Sequence, residues 1–429
     1  MELRPRQKVP LTDGGCVTVI RMLGCGGQGA VFLADLSGRK VALKWYLRPA
    51  PDGFYRNLER NIHSGAPSDA FIWPERLTMK DADGCFGYVM RLCPEGYSGF
   101  GRYLLAEENF SSVSAMLTAA MRICEGFRML HLCGLSYQDI NDGSFLISPE
   151  TGDVLICDND NVTAQGEKSG IMGKSRYMAP EVLAGGTPDK LSDRFSLSVI
   201  LFLLFFADHP FEGAKTLACE CMTAEMGRRL YGSGAVFILD PDNAENRPVS
   251  GIHQNVIRRW PLFPKVLRDA FVREFSREKL MNPESRMLEQ EWEDIIEQAR
   301  DGLVVCPHCG EETFTDVPCG SASCAYCGRR IDMPEMLVME KVPGRRYIPL
   351  TAGRQIFAGR GTLPDAEVTE DSCGRMIVRN ISSGQLTAAA PGGNVMHAGH
   401  QEALPAEEGI RISFCSGGRV YNAAVRRSR

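Results

Sequence analysis

Apolar residues stand in short runs at three places near the start of the chain: Val17-Thr18-Val19-Ile20, Ala30 to Ala34, and Val41-Ala42-Leu43-Lys44. Each run predicts a β-strand, and the stretches between them, a glycine-rich one from Leu23 to Gly29 and Ser37-Gly38, predict turns. The spacing then changes. Phe54, Tyr55, Leu58 and Ile62 recur at helical intervals, and Phe86-Gly87-Tyr88-Val89-Met90 returns to a strand pattern. Between Ser111 and Cys133, Leu117, Met121, Cys124, Phe127 and Leu130 line one side of a long core helix. Two further short runs, Phe145-Leu146-Ile147 and Val154-Leu155-Ile156, flank the turn residues Ser148 to Asp153 and predict a hairpin. Leu197 to Ala207 is apolar apart from Ser198 and predicts a buried helix. From Tyr347 onward, short runs such as Ile356-Phe357, Met376-Ile377-Val378 and Ile410 to Phe414 alternate with Gly-, Pro- and Ser-rich turns, which predicts an all-β sandwich.

Composition narrows this picture. At 429 residues the chain has room for two or three domains, and 44% hydrophobic with 24% charged residues is a globular balance. A net charge of −5 gives no reason to expect nucleic acid as a partner. The longest apolar run is shorter than the roughly 20 residues needed to cross a bilayer, so no membrane association is expected. The 16 cysteines would suit a secreted disulfide framework, but most stand singly in apolar segments, as Cys124, Cys133 and Cys157 do. Met1 to Pro10 lacks the charged-then-apolar layout of an export signal. A reducing cytoplasm is therefore the expected setting.

Chemistry enters at the hairpin. Asp139 and Asp158 each sit at the mouth of one of its strands, which holds two carboxylates close together. Phosphoryl transfer needs such a pair, one to position the attacking oxygen and one to hold a cation against the phosphates. Gly24, Gly26 and Gly29 match Gly-x-Gly-x-x-Gly, a pattern that dinucleotide sites share; here a second strand follows instead of a helix, and a third ends in Lys44. Further along stand Gly173-Lys174-Ser175-Arg176-Tyr177-Met178-Ala179-Pro180-Glu181, then Asp193 and Arg286. In this order, from residue 17 to about residue 295, the signals resemble those of a protein kinase.

The resemblance implies a bilobal α+β kinase fold and assigns roles. Gly24, Gly26, Gly27 and Gly29 would cover the ATP phosphates, Lys44 would bind them, and Val31, Ala42, Met90, Arg91 and Cys93 would surround the adenine. Asp139 is the implied catalytic carboxylate, and Asp158 with Ser144 the implied ligands of Mg²⁺ or Mn²⁺. Glu59 would pair with Lys44 when its helix swings in, with Glu75 as the other candidate. Arg286 would brace Glu181. The chain departs from the family pattern in four places. Tyr137-Gln138-Asp139 replaces His-Arg-Asp, and Asp158-Asn159-Asp160 replaces Asp-Phe-Gly. Asn141 stands where a lysine is usual and Ser144 where an asparagine is usual. Lys174 is the expected substitute for the missing lysine, and the missing arginine argues against activation by loop phosphorylation.

Cys306-Pro307-His308-Cys309-Gly310 and Cys324-Ala325-Tyr326-Cys327-Gly328 are paired knuckles of the kind that hold structural Zn²⁺ through four thiolates, with His308 and Cys319 as bystanders. Phe357-Ala358-Gly359-Arg360 and Arg379-Asn380-Ile381-Ser382 resemble a forkhead-associated domain that lacks the phosphothreonine-reading Ser-x-x-His, which implies a docking or structural module. The expected domains are a tail at 1–12, a kinase domain at 13–298 with lobes at 13–93 and 94–298, a zinc ribbon at 299–332, and the sandwich at 336–429. The expected function is a bacterial-type ATP-dependent Ser/Thr kinase acting on protein substrates; the alternative is a nucleotide-binding pseudokinase scaffold. The Gly-Gly-Gln-Gly loop and the two altered motifs also resemble kinases of tellurite-resistance systems, which implies a von Willebrand-type protein and a metal-dependent phosphatase as partners.

Overall fold

The computed structural model describes residues 3–27, 29–167, 173–315, 318–340 and 346–428. These form two compact units, one of residues 1–111, 122–248 and 274–289, the other of residues 112–121, 249–273 and 290–429.

The first unit begins with six antiparallel strands: β1 (Lys8–Pro10), β2 (Cys16–Cys25), β3 (Gly29–Leu36), β4 (Arg39–Tyr46), β5 (Pro74–Leu77) and β6 (Gly87–Arg91), in the order β1-β2-β3-β4-β6-β5. Successive side chains in a strand point to opposite faces, and that period sorts the residues. Val41, Leu43 and Trp45 of β4 join Phe32 and Val89 in one core, while Ala42 and Tyr46 join Val31, Tyr88 and Met90 in another. Lys44, between Ala42 and Tyr46, belongs to the second face. Helix α1 (Asp52–Ser64) covers that face with Phe54 and Leu58. Leu58 is fully buried, so Leu58→Ala would cost about 2–5 kcal/mol.

Strands Phe145–Ile147 and Val154–Ile156 pair antiparallel, with Leu146 opposite Leu155, so the hairpin is present as the sequence predicts. Helix Lys190–Phe206 is buried at almost every position from Ser192 onward. Its start is set by Asp189, whose carboxylate accepts from the Leu191 and Ser192 amides, while the Ser192 hydroxyl returns a bond to the Asp189 backbone. The helix predicted between Ser111 and Cys133 spans Val113–Leu132, and all five of its core-marking residues are buried. No described helix is long and apolar enough to cross a membrane.

In the second unit, two small hairpins carry the paired cysteines: Leu303–Val305 with Glu312–Phe314, and Ser321–Ser323 with Arg330–Asp332. The Glu312 carboxylate accepts from the Ser114 amide, which caps the first turn of helix Val113–Leu132. Beyond them lie a six-stranded sheet (Tyr347–Pro349, Glu335–Glu340, Arg419–Arg427, Arg411–Ser416, Leu386–Ala389, Val395–Ala398) and a four-stranded one (Gln355–Ile356, Ala366–Glu370, Met376–Asn380, Ala403–Pro405). Leu337, Ile412, Phe414 and Val425 of the first share one core with Ile356, Val368, Val378 and Leu404 of the second. Alternate residues of each strand enter that core, which is how two stacked sheets bury their inner faces.

Candidate active site and metal centre

Lys44 lies on the inner face of β4, and its side chain is almost fully buried. Its ammonium is 2.8 Å from Asp160 Oδ2 and 3.1 Å from Asp158 Oδ1. Burial works against a charge there. Tyr88, whose own proton is held well above the usual range by burial, is a neutral phenol near pH 7, so the two carboxylates keep Lys44 protonated. The two carboxylates differ. Asp160 is completely buried and also accepts from the Tyr46 hydroxyl, whereas the Asp158 side chain is 55% exposed. Asp158 has φ 57°, a left-handed conformation that costs energy outside glycine and turns the carboxylate out of the hairpin.

Glu59 does not reach Lys44. It is exposed on the outer side of α1, and Glu75 pairs with Arg39 instead. Helix α1 meets the hairpin's exit through amides: Asn57 Nδ2 and Asn61 Nδ2 both donate to the Val162 carbonyl, at 2.7 and 2.8 Å. The helical spacing of apolar residues could not distinguish an inward Asn57 from an outward Glu59 as the functional position. Asp160 was legible only as part of a departure from the family motif.

Asp139 is half-buried. Asn141 Nδ2 donates to its Oδ1 at 3.1 Å, so the residue in the lysine's place contacts the carboxylate directly. Burial raises the Asp139 pKa, the Asn141 bond and the Lys174 charge oppose the rise, and Asp158 adds to it. The Lys174 ammonium itself pairs with Asp142 Oδ1 at 2.8 Å, and its backbone amide bonds Asp139. The ammonium of the expected substitute thus meets Asp142, three residues along from Asp139, and acts on Asp139 through its charge. The buried Ser144 hydroxyl accepts from the Asn141 amide and donates to the Asp139 carbonyl, and so closes the turn Asp142–Ser144.

The loop is anchored from below. Asp193 accepts from the Tyr137 and Gln138 amides at 2.6 and 3.0 Å and from His131 Nε2 at 3.1 Å, and His131 Nδ1 meets Glu289 at 2.9 Å. Burial alone would lower the His131 pKa, but Asp193 and Glu289 raise it to about 9. The Tyr137 hydroxyl donates to the Cys157 carbonyl, which joins the two strands' exits. Gln138 donates to Thr163 and to the Glu167 carbonyl, and Arg60 pairs with Glu167, so an uncharged side chain holds the segment after the hairpin. Arg286 braces Glu181 through two bonds of 2.7 Å, as expected.

Two observations test whether a magnesium nucleotide fits. Val31, Ala42, Met90, Leu146, Leu155 and Cys157 form one apolar cluster, suited to an adenine plane; Leu146 and Cys157 were not singled out by the motifs. Arg91 turns its guanidinium to the Asp69 carbonyl, and Cys93 is half-buried. At Gly24, Gly26 and Gly27 a Cβ would meet nothing within 4 Å, so internal packing does not demand glycine there. Gly29 is different, since a Cβ would strike the Trp45 carbonyl. Gln28 lies outside the described residues.

The sulfurs of Cys306, Cys309, Cys324 and Cys327 all lie within 4.8 Å of one another, with Cys306–Cys327 and Cys309–Cys324 both at 3.7 Å. A tetrahedral site with metal–sulfur bonds of about 2.3 Å has edges of about 3.8 Å, so the donor set fits zinc. Gly310 and Gly328, at φ 78° and 70°, make the left-handed turns that close each knuckle. His308 bonds the Arg330 carbonyl, and Cys319 stands outside the cluster.

A family model described as the protein kinase domain matches residues 17–231. Among curated proteins, the chain is 26% identical over 211 residues to a probable serine/threonine-protein kinase PknB of Corynebacterium glutamicum, covering 46% of this chain and 32% of that protein. It is 30% identical over 230 residues to the DNA damage-responsive serine/threonine-protein kinase RqkA of Deinococcus radiodurans, covering 48% and 32%. With the serine/threonine-protein kinase PrkC of Bacillus subtilis the identity is 26% over 223 residues, covering 49% and 34%. The chain thus spans about a third of the length of the curated relatives it matches.

Proposed function

The chain belongs to the protein kinase family, and on that premise we propose that it transfers the γ-phosphoryl group of ATP to serine or threonine hydroxyls of proteins. The observation that carries this reading is the exposed, left-handed Asp158 beside a buried Lys44, with Asp139 half-buried in the adjoining loop. Asp139, raised by burial, accepts the hydroxyl's proton and aims its oxygen. Lys44 binds the α- and β-phosphates, and the backbone around Gly24, Gly26 and Gly27 closes over them. Asp158 holds Mg²⁺ or Mn²⁺, which when bound neutralises charge on the phosphates. With the Ser144 hydroxyl committed to its own loop, Asp158 would be the main protein group to hold that cation.

That same commitment of Ser144 favours the second reading, a nucleotide-binding pseudokinase scaffold. Incubation with labelled ATP and Mg²⁺ or Mn²⁺, wild type beside Asp158→Ala, separates the two. Transfer by wild type alone supports the enzyme; no transfer by either supports the scaffold.

In the same reading 13–298 is the kinase domain, 299–332 a zinc ribbon with Zn²⁺ in a structural role, and 336–429 a forkhead-associated-like sandwich. The ribbon should contain about one zinc per chain, lost in a Cys306→Ser/Cys324→Ser variant, by elemental analysis. The sandwich serves docking or structure. Arg360, in the stretch that carries the forkhead-associated resemblance, is paired with Asp294. A cytoplasmic signalling or stress-response role, with a von Willebrand-type protein and a metal-dependent phosphatase as partners, completes the proposal.

A further inference from the structure

The buried ammonium of Lys44 has a partner that its helix does not supply. Asp160 lies 116 residues along the chain and is clamped on both sides. Ahead of it, Asn159 Nδ2 donates to the Ile72 and Ile156 carbonyls at 2.8 and 2.9 Å. Behind it, Asn57 and Asn61 of α1 hold the Val162 carbonyl. Tyr46 donates to the same Asp160 oxygen that Lys44 meets, which fixes the carboxylate's rotation. Asp160 Oδ1 has no hydrogen-bond partner among the described residues. A fully buried carboxylate with a bare oxygen costs stability, and among the described residues the ion pair with Lys44 is the charge contact set against that cost.

We propose that Asp160 is the positioning residue for Lys44: it holds one side of the ammonium as a buried counter-charge, so that the exposed Asp158, which also meets the ammonium at 3.1 Å, is not its sole partner. The proposal rests on the nucleotide-dependent reading above. It explains why Glu59 can stay exposed. Helix α1 acts on the site through Val162 and so through the backbone that carries Asp160, and no swing of a helix-borne carboxylate is needed to complete the ion pair. If Asp160 lost its charge, Asp158 would be the one carboxylate left on Lys44 among the described residues.

The test uses the full chain as wild type, Asp160→Asn, Tyr46→Phe and Glu59→Gln. MgATP affinity is measured by displacement of a fluorescent ATP analogue, phosphoryl transfer with labelled ATP, and folding by thermal midpoint. Asp160→Asn should weaken MgATP binding about tenfold and lower kcat/KM about 100-fold. Tyr46→Phe keeps the charge and removes one hydrogen bond, so its loss of affinity should be about two- to fivefold. Glu59→Gln should change neither quantity by more than about twofold. Wild-type affinity in a folded Asp160→Asn, or a loss in Glu59→Gln instead, overturns the proposal. If Asp160→Asn does not fold, Tyr46→Phe decides, and unchanged affinity there overturns it. A wild type that binds MgATP but transfers nothing ends the kinase reading alone, and affinity still judges Asp160.

Discussion

Two buried charge clusters, one in each unit, solve opposite problems. Around Lys44 one ammonium faces two carboxylates, and the surplus negative charge sits on Asp158, whose side chain is open to solvent. In the second unit Arg346 pairs with Asp301 at 2.7 Å and with Glu297 at 2.9 Å. Arg300 and Arg354 stand beside that pair, and their surplus positive charge is answered by carbonyls. Arg300 donates to Gly359 and Gly361, and Arg354 to Arg300 and Asp301. Arg346 adds bonds to Phe357 and Ala358. Carbonyl oxygens accept several of these planar donors, although Arg300 Nε and Arg354 Nε and Nη1 have no partner among the described residues, so the cluster is closed to solvent without being fully satisfied. Among the described residues Asp158 shares the Lys44 ammonium, 3.1 Å away, with Asp160, and its side chain stays open to solvent. An imbalance left exposed calls for an added cation, and an imbalance absorbed by backbone serves folding.

The largest expected effect breaks the open cluster. Asp158→Ala should lower phosphoryl transfer on the order of 10³-fold, with the thermal midpoint little changed, because the lost carboxylate is exposed. Breaking the closed cluster has the reverse signature. Arg346→Met leaves Asp301 and Glu297 buried without their guanidinium and should cost about 3–5 kcal/mol of stability, read by denaturant unfolding. Unchanged stability would make the second cluster a surface feature and end the contrast.

A smaller effect separates the two through pH. His131 is raised from 6.5 to about 9, so its contribution to stability is full below about pH 6.5 and is lost as pH rises through 9. The loss is on the order of 3 kcal/mol, an upper figure because the His131–Glu289 pair is shared. His131→Gln should flatten the decline in thermal midpoint over that window, while Arg346, whose burial is outweighed by its carboxylate partners Asp301 and Glu297 so that its pKa is raised, contributes none of it. The smallest effect concerns Lys174. Since its ammonium is on Asp142 and its charge reaches Asp139 only at second hand, Lys174→Ala should reduce kcat about tenfold and leave ATP affinity unchanged. A loss of both would mean that Lys174 meets the nucleotide itself.

The sequence by itself determined what depends on neighbours along the chain. Alternation in β4 is enough to put Lys44 on the same face as Ala42 and Tyr46, because strand periodicity is a local property. The turn between Ile147 and Val154 brings Asp139 and Asp158 together for the same reason, and the cysteine spacing with its two glycines closes the knuckles. Only the tertiary structure decided how each charge is paired. Glu59 lies 15 positions from Lys44 and Asp160 lies 116, yet the nearer residue in sequence faces solvent. Ser144 turned out to bond its own loop, and Lys174 to meet Asp142. A carboxylate's type and spacing announce that it can hold a cation. Which cation it holds depends on distances of 3 Å set by packing between segments far apart in the chain, and no local pattern encodes those.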